Sequence, residues 1–300
     1  MNISNYAAID IGSNAIRLLI MNVVEDVDEV MFHKASLVRS PIRLGAEVFT
    51  QNKISPENMA RVADAMQAYQ LLMKIYNVKY QLVYGTSAMR EAENRQDLID
   101  LVKQRCGLNI KVISGSEEAQ IIFSTELKNY IKSDRAYLSI DAGGGSTEFT
   151  LFDNGKVITS QSFPIGTVRL LNHMVDEEYL NTEIKPWIKQ HTAFLNEITL
   201  IGSGGNINDI FKRSGTKEET PLRVQYLEEQ LHILEKLSYE ERIRLYHMKP
   251  DRADVILPAL KIYLHAMQWV QAKEIFVSKI GLADGMIQYL YKQTKKHKMT

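Results

Sequence analysis

The chain has 300 residues, 45% hydrophobic and 24% charged, with 36 basic and 36 acidic side chains. That is the composition of a water-soluble globular protein, long enough for about two domains and for a core that needs no covalent staples. The balanced charge excludes wholesale electrostatic binding of nucleic acid, and the single cysteine, Cys106, excludes an internal disulfide and fits a reducing cytoplasm.

The first residues carry no basic segment followed by an apolar one, so no signal peptide is expected. Tyr6 to Ile11 and Ile16 to Val24 read as strands joined by the turn Gly12-Ser13-Asn14. The second run has about half the apolar length that a membrane helix needs. Val30 to Ser40 continues the strands, and Ser55-Pro56 opens a helix that keeps helical spacing through Ile75. A strand at Tyr80 to Tyr84, a loop at Thr86 to Glu91, a helix to about Arg105 and a strand at Ile110 to Ile113 follow. Ser116 is placed to cap a helix that begins Glu117-Glu118 and runs to about Ile131.

The pattern then restarts. Tyr137 to Gly143 matches Tyr6 to Gly12 in residue type at nearly every position, and both copies run strand, Asp, glycine turn, strand, strand. The repeated unit exceeds a hundred residues, far beyond a solenoid period, so it predicts two similar domains in tandem. The second half continues with a long helix near Tyr179 to Glu197, a strand at Thr199 to Ile201 and the turn Gly202-Ser203-Gly204-Gly205-Asn206. Ser238-Tyr239-Glu240-Glu241 is a capping-box pattern. Asp251 is placed to cap a helix ending near Gln271, whose stripe Ile256, Leu257, Leu260, Leu264, Met267 and Val270 reads as core. Glu274 to Val277 is a last strand before a terminal helix. The lysines at 292, 295, 296 and 298 read as a solvated terminus.

A strand ending in Asp and followed by a glycine turn leaves backbone N–H groups pointing outward, and glycine lets a phosphate approach them. Gly12-Ser13-Asn14 and Gly143-Gly144-Gly145-Ser146-Thr147 are two such turns, and the expectation is that they face each other across a cleft and hold a phosphate chain. A lone turn of this kind more often binds nothing; the duplication favours function. Asp10 and Asp141 end apolar strands, where a carboxylate suits a metal better than packing, and Glu148 is a third candidate ligand. A turn or capping role competes for each Asp. Glu117 and Glu118 suit the positive end of their helix, which is reason enough for them without chemistry. Arg90 has the guanidinium that phosphate binding favours, with a surface ion pair as the plain alternative; Arg17 and Arg43 are weaker candidates. No zinc spacing, Walker A pattern or serine-hydrolase elbow is present.

Taken in order, Ala8-Ile9-Asp10-Ile11-Gly12-Ser13-Asn14, Gly85 to Ala92, Val112 to Ala119, Ile140 to Glu148, Phe163-Pro164-Ile165-Gly166 and Val277-Ser278-Lys279-Ile280-Gly281 give a sequence that resembles the exopolyphosphatase / guanosine pentaphosphate phosphohydrolase (Ppx/GppA) family of the actin-like superfamily. The resemblance implies an α/β fold of two tandem actin-like (ribonuclease H-like) domains with mixed sheets flanked by helices, residues 1–125 and 126–300, the terminal helix able to pack back on the first domain and the active site in the interdomain cleft. It implies Glu118 as the base for an attacking water, Asp141 and Glu148 as metal-organising and water-positioning acids with Asp10 facing them, and Ser13, Asn14, Arg90, Gly144, Gly145, Ser146 and Thr147 as phosphate ligands. It further implies Mg²⁺ as cofactor, a cytoplasmic homodimer, and inorganic polyphosphate or pppGpp as substrate.

Three segments depart from the family pattern. Gln120 stands where Arg is frequent, Ala283-Asp284 replaces an Arg-Glu pair, and Gly204-Gly205-Asn206 replaces Ser-Gly-Thr. The C-terminal helical domains of longer members are not in this chain, which argues against strong processivity on long chains. The leading reading is therefore an exopolyphosphatase, with a pppGpp 5′-phosphohydrolase on the same machinery as runner-up. A non-catalytic polyphosphate or nucleotide sensor and an ATP-dependent sugar kinase are the competing classes.

Overall fold

The computed structural model describes residues 1–27, 29–123, 135–195 and 197–299. In chain order the first elements are β1 (Asn2–Ile11), β2 (Ile16–Glu25), β3 (Val30–Ser40), α1 (Leu44–Gln51), α2 (Pro56–Ile75), β4 (Val78–Gly85), α3 (Ser87–Glu91), α4 (Arg95–Cys106), β5 (Ile110–Val112) and α5 (Gly115–Phe123). Then come β6 (Ala136–Ala142), β7 (Thr147–Asp153), β8 (Lys156–Phe163), α6 (Thr167–Leu171), α7 (Glu177–Tyr179), a π-turn (Leu180–Ile184), α8 (Lys185–Thr192), β9 (Ile198–Ser203) and α9 (Gly205–Ser214). The last are β10 (Leu222–Arg223), α10 (Val224–Glu235), α11 (Tyr239–Tyr246), α12 (Pro250–Ala253), α13 (Ile256–Trp269), β11 (Glu274–Val277) and α14 (Leu282–Met299).

The chain divides into two compact units, Met1–Thr125 with Leu282–Thr300, and Glu126–Gly281. The first is built on a sheet of order β3-β2-β1-β4-β5, the second on a sheet of order β10-β11-β9-β6-β7-β8. In each, the first three strands of the repeat pair antiparallel and the later ones join parallel, so β8-β7-β6-β9-β11 repeats β3-β2-β1-β4-β5 in order and sense. Both units are thus mixed sheets flanked by helices, the expected fold class.

Local chemistry sets several helix ends. Ser55 accepts the Asn58 N–H at 3.2 Å and Pro56 opens α2, as its missing donor allows. Ser238 and Glu241 form the expected capping box on α11. At α5 the cap is Ser114, not Ser116: the Glu117 N–H donates to Ser114 Oγ at 3.1 Å and the Ser114 N–H to Glu117 Oε2 at 2.9 Å, since a capping box needs its acid three residues after the cap. The expected continuation of this helix to Ile131 lies outside the described residues. Asp251 falls inside the short α12, and α13 begins at Ile256 instead. The long helix expected from Tyr179 to Glu197 is interrupted and ends at Thr192. The Lys185 N–H bonds back to the Leu180 carbonyl, a π-turn just before Pro186, which has no N–H with which to continue the α pattern.

The core of the second unit gathers Leu138, Ile140, Phe149 and Leu151 with Ile184, Ile188, Leu260 and Tyr263. In the first unit, alternate residues Tyr6 and Ala8 on β1 and Leu19, Met21 and Val23 on β2 present one face to Met286, Ile287 and Leu290 of α14. Tyr291 extends this packing edge-on to Tyr6 and Phe32. The Lys295 ammonium bonds Glu25 and holds its carboxyl down to about 2. A depressed carboxyl contributes stability above its unfolded value of about 4.3 and loses it as pH falls toward the folded value. Glu25→Gln is therefore expected to melt at a lower temperature than the native chain at pH 7, with the gap closing between about pH 4.5 and 2, as thermal unfolding across that range would read.

Candidate active site

In the first unit the expected residues cluster at the carboxyl ends of β1, β4 and β5, where open α/β sheets place ligands. The β1–β2 turn closes through Gly12 N–H to the Ala15 carbonyl at 3.1 Å, and a Cβ on Gly12 would stand 3.0 Å from that carbonyl. The turn is then pinned from outside. Gly45 N–H donates to the Ser13 carbonyl at 2.8 Å, Arg43 N–H to the Asn14 carbonyl at 3.3 Å, and Ala88 N–H to Ser13 Oγ at 3.2 Å. Asp10 is 3% exposed and accepts from Arg17 at 2.9 Å. Burial pushes the Asp10 carboxyl up, and the Arg17 guanidinium only partly offsets that.

Arg90 Nη1 bridges Glu118 Oε2 at 3.0 Å and the Ile113 carbonyl at 3.0 Å. Sequence reasoning placed Arg90 on phosphate; here it grips the candidate base. The two acids of α5 separate cleanly. Glu118 is buried beside Arg90, whereas Glu117 is spent on the helix cap and on Lys111 at 2.9 Å.

The second unit repeats the device with different chemistry. Gly143 N–H donates to the Ser146 carbonyl at 2.9 Å, and a Cβ on Gly143 would stand 2.9 Å from it. Thr167 and Val168 N–H groups bond the Gly143 and Gly144 carbonyls at 3.0 and 2.8 Å, and Arg169 Nε bonds the Gly145 carbonyl at 2.7 Å. All three glycine carbonyls are thus turned toward α6. Among the described residues the Gly144 and Gly145 N–H groups donate to nothing. Gly166 makes the fit possible: a Cβ there would meet Gly144 backbone at 2.4 Å.

Asp141 and Glu148 are cross-strand partners in the β6–β7 register, the position that Asp10 and Arg17 hold in β1–β2. One repeat therefore neutralises its acid, and the other sets two acids side by side, an arrangement of like charges that favours a cation. Glu148 Oε1 accepts hydroxyls from Ser146 and Ser162, each at 2.7 Å. The Thr147 hydroxyl is fully buried and donates to the Ile165 carbonyl at 2.6 Å, so it anchors the turn and is not offered to an anion, contrary to expectation. Ser146's hydroxyl likewise serves Glu148. No group of three or more His, Cys, Asp or Glu side chains placed to hold a metal is found among the described residues.

The turn after β9 completes this unit's rim. Gly204 has φ +101°, and a Cβ there would lie 3.1 Å from Asp141 Oδ1. Tyr263 donates to the Ser203 carbonyl; burial and then the Asp141 charge push its hydroxyl far above the phenol range. The Arg252 guanidinium lies over Gly205, where a Cβ would meet it at 2.4 Å, and donates to Asn206 Oδ1 at 2.7 Å. Sequence reasoning missed Arg252 and Ser162. Ser162 could have been found by registering β8 against Glu148; Arg252, 46 residues from Asn206, left no local signal.

A model of the Ppx/GppA phosphatase family matches residues 23–294. A guanosine-5′-triphosphate,3′-diphosphate pyrophosphatase of Photobacterium profundum is 25% identical over 97% of this chain and 60% of its own length. An exopolyphosphatase 2 of Mycobacterium tuberculosis is 31% identical over 57% of this chain and 54% of its own. The chain thus spans little more than half the length of these curated relatives. Among solved structures, an exopolyphosphatase from Cytophaga hutchinsonii superposes with a TM-score of 0.85 at 25% identity, covering 97% of this chain and 98% of that one. The Aquifex aeolicus member of the Ppx/GppA family superposes at 0.75 with 21% identity, covering 97% and 99%.

Gly166→Ala forces the Gly144 backbone aside and is expected to cost at least about 2 kcal/mol in urea unfolding. Gly155→Ala, strained by φ +72° but in open space, should cost only about 1 kcal/mol.

Proposed function

Because the chain belongs to the Ppx/GppA phosphatase family, we propose that it is an exopolyphosphatase that removes the terminal phosphate of inorganic polyphosphate by attack of water. The observation that carries this reading is the paired Asp141 and Glu148 beside a glycine turn whose carbonyls are all drawn back, leaving the Gly144 and Gly145 N–H groups for an anion. A sugar kinase lacks such a rationale: it would need ATP-dependent transfer to a hydroxyl, which nothing in these residues selects.

Each residue has a role in this proposal. The terminal phosphoryl group rests on the Gly144 and Gly145 N–H groups, which lie ready before charge develops on its oxygens. Arg252 and Arg90 supply guanidinium groups to the substrate's negative charge. In the first unit Glu118, held by Arg90, is the base proposed for the proton of the attacking water; as water bonds to phosphorus, the shortened chain leaves with the electrons of the broken P–O bond. Asp141 and Glu148 form a hard oxygen pair that fits Mg²⁺, which keeps several waters and takes substrate oxygens alongside one or two carboxylates. Ser146 and Ser162 hold Glu148 in place for that task. When bound, the ion would neutralise phosphate charge. Asp10, tied to Arg17, has a smaller part in holding metal than its position first suggests.

The second reading, removal of the 5′-terminal phosphate of pppGpp, draws on the Photobacterium relative named for a guanosine substrate. The same proposal puts the enzyme in the cytoplasm as a homodimer, where the buried Cys106 thiol stays reduced. Among the described residues no helix is long and apolar enough to cross a membrane.

Phosphate release from long polyphosphate, tripolyphosphate and pppGpp, each with and without Mg²⁺, tests the assignment. Long polyphosphate is expected to turn over fastest, and chelation of the ion to abolish release. Glu118→Gln should lower kcat by about 10²–10⁴ with little change in KM. Undiminished turnover in that variant removes Glu118 as base, and tight polyphosphate binding without release from any substrate makes the protein a sensor.

A further inference from the structure

A cavity of about 280 Å³ in the first unit is lined by Tyr84, Lys111, Glu117, Gln120, Ile121 and Tyr289. Glu117, Gln120 and Ile121 are spaced three and four apart and share one face of α5. Glu118, by contrast, is engaged with Arg90. Tyr84 is contributed by β4, Lys111 by β5 and Tyr289 by α14.

Two observations mark this cavity as a ligand site. Tyr84 is only 5% exposed, yet its hydroxyl has no hydrogen-bond partner among the described residues and borders the cavity. The Tyr84 ring is buried while its hydroxyl opens onto the cavity; burial pushes this hydroxyl up, so it stays protonated and able to donate to an occupant. The polar groups around it are also of mixed kind. Lys111 and Glu117 pair at 2.9 Å and sum to zero charge, and Gln120 offers both a donor and an acceptor. A neutral rim gives a polyanion no long-range attraction, so this is not a phosphate subsite. Aromatic walls with a rim of donors and acceptors complement a flat ring whose edge carries both.

We propose that the cavity binds a planar heteroaromatic ring of the nucleobase class. The ring stacks on Tyr289, because Lys111 Nζ already stands 5.7 Å from the centre of the Tyr84 ring. An acceptor on its edge takes the Tyr84 hydroxyl, and the Gln120 amide, which both donates and accepts, meets the remaining edge groups. The volume, close to the lower bound of small-molecule pockets, admits one base and excludes a phosphate chain. Glu117 also holds the Ser114 N–H at the start of α5, so occupancy acts on the cap of the helix that carries Glu118. Binding itself does not depend on the phosphatase reading.

Saturation-transfer NMR on the full chain, with guanosine, adenosine, cytidine and uridine as probes and inorganic phosphate and tripolyphosphate as competitors, tests this. At least one nucleoside should bind with a Kd of about 0.1–1 mM and resist displacement by tripolyphosphate. Tyr84→Phe keeps the buried ring and should weaken binding about fivefold. Tyr289→Ala should weaken it about tenfold or more through lost stacking. If a tyrosine variant also melts early, Gln120→Ala, an exposed position, decides instead by the same weakening. The proposal is overturned if no nucleoside binds up to about 5 mM. Displacement by tripolyphosphate, or binding indifferent to all three substitutions, overturns it equally.

Discussion

The structure depends on how a glycine turn is held from behind. A turn that offers N–H groups to an anion must put its carbonyls somewhere, and a buried carbonyl without a partner is costly. Here the segment after the third strand answers that need in both repeats. Gly45 and Arg43 take the carbonyls of Ser13 and Asn14, and Thr167, Val168 and Arg169 take those of Gly143, Gly144 and Gly145. The approach is close enough that Gly166 can carry no side chain, so the residue that shapes the second turn lies 22 positions from Gly144 and never touches an anion itself.

On this common frame the two repeats have diverged in charge. Asp10 and Arg17 occupy the register that Asp141 and Glu148 occupy in the other copy. The first pair cancels, with Asp10 buried and Arg17 partly exposed; the second is two like charges whose proximity is stabilised by Ser146 and Ser162 hydroxyls and by any cation the site recruits. Duplication of a fold thus need not duplicate its chemistry: one strand-pair position joins an acid to a base, and its equivalent joins two acids.

The α5 helix shows the same division at the scale of neighbouring residues. Glu117 and Glu118 are chemically alike and adjacent, yet one completes a capping box with Ser114 while the other is buried against Arg90. The helical turn of about 100° per residue sends them to different faces. One face of α5 therefore belongs to the proposed reaction and another to the Tyr84 cavity.

Much of this was legible in the chain. Strands were readable from their apolar runs, the duplication from Tyr6–Gly12 and Tyr137–Gly143, and caps such as Ser55 and Ser238 from local spacing, because these are interactions among residues close in sequence. Where local reading failed, as at Ser116, Asp251 and the π-turn before Pro186, a neighbouring cap or a missing donor won over the apolar period. The sequence by itself therefore determined the duplicated mixed-sheet plan and which carboxylates and glycines end its strands. Only the tertiary structure decided that Thr147 anchors while Gly144 and Gly145 present their N–H groups, that Arg90 holds Glu118, and that Arg252 covers Gly205. Each of those depends on a partner distant in the chain, and no periodicity or spacing encodes which distant group will arrive.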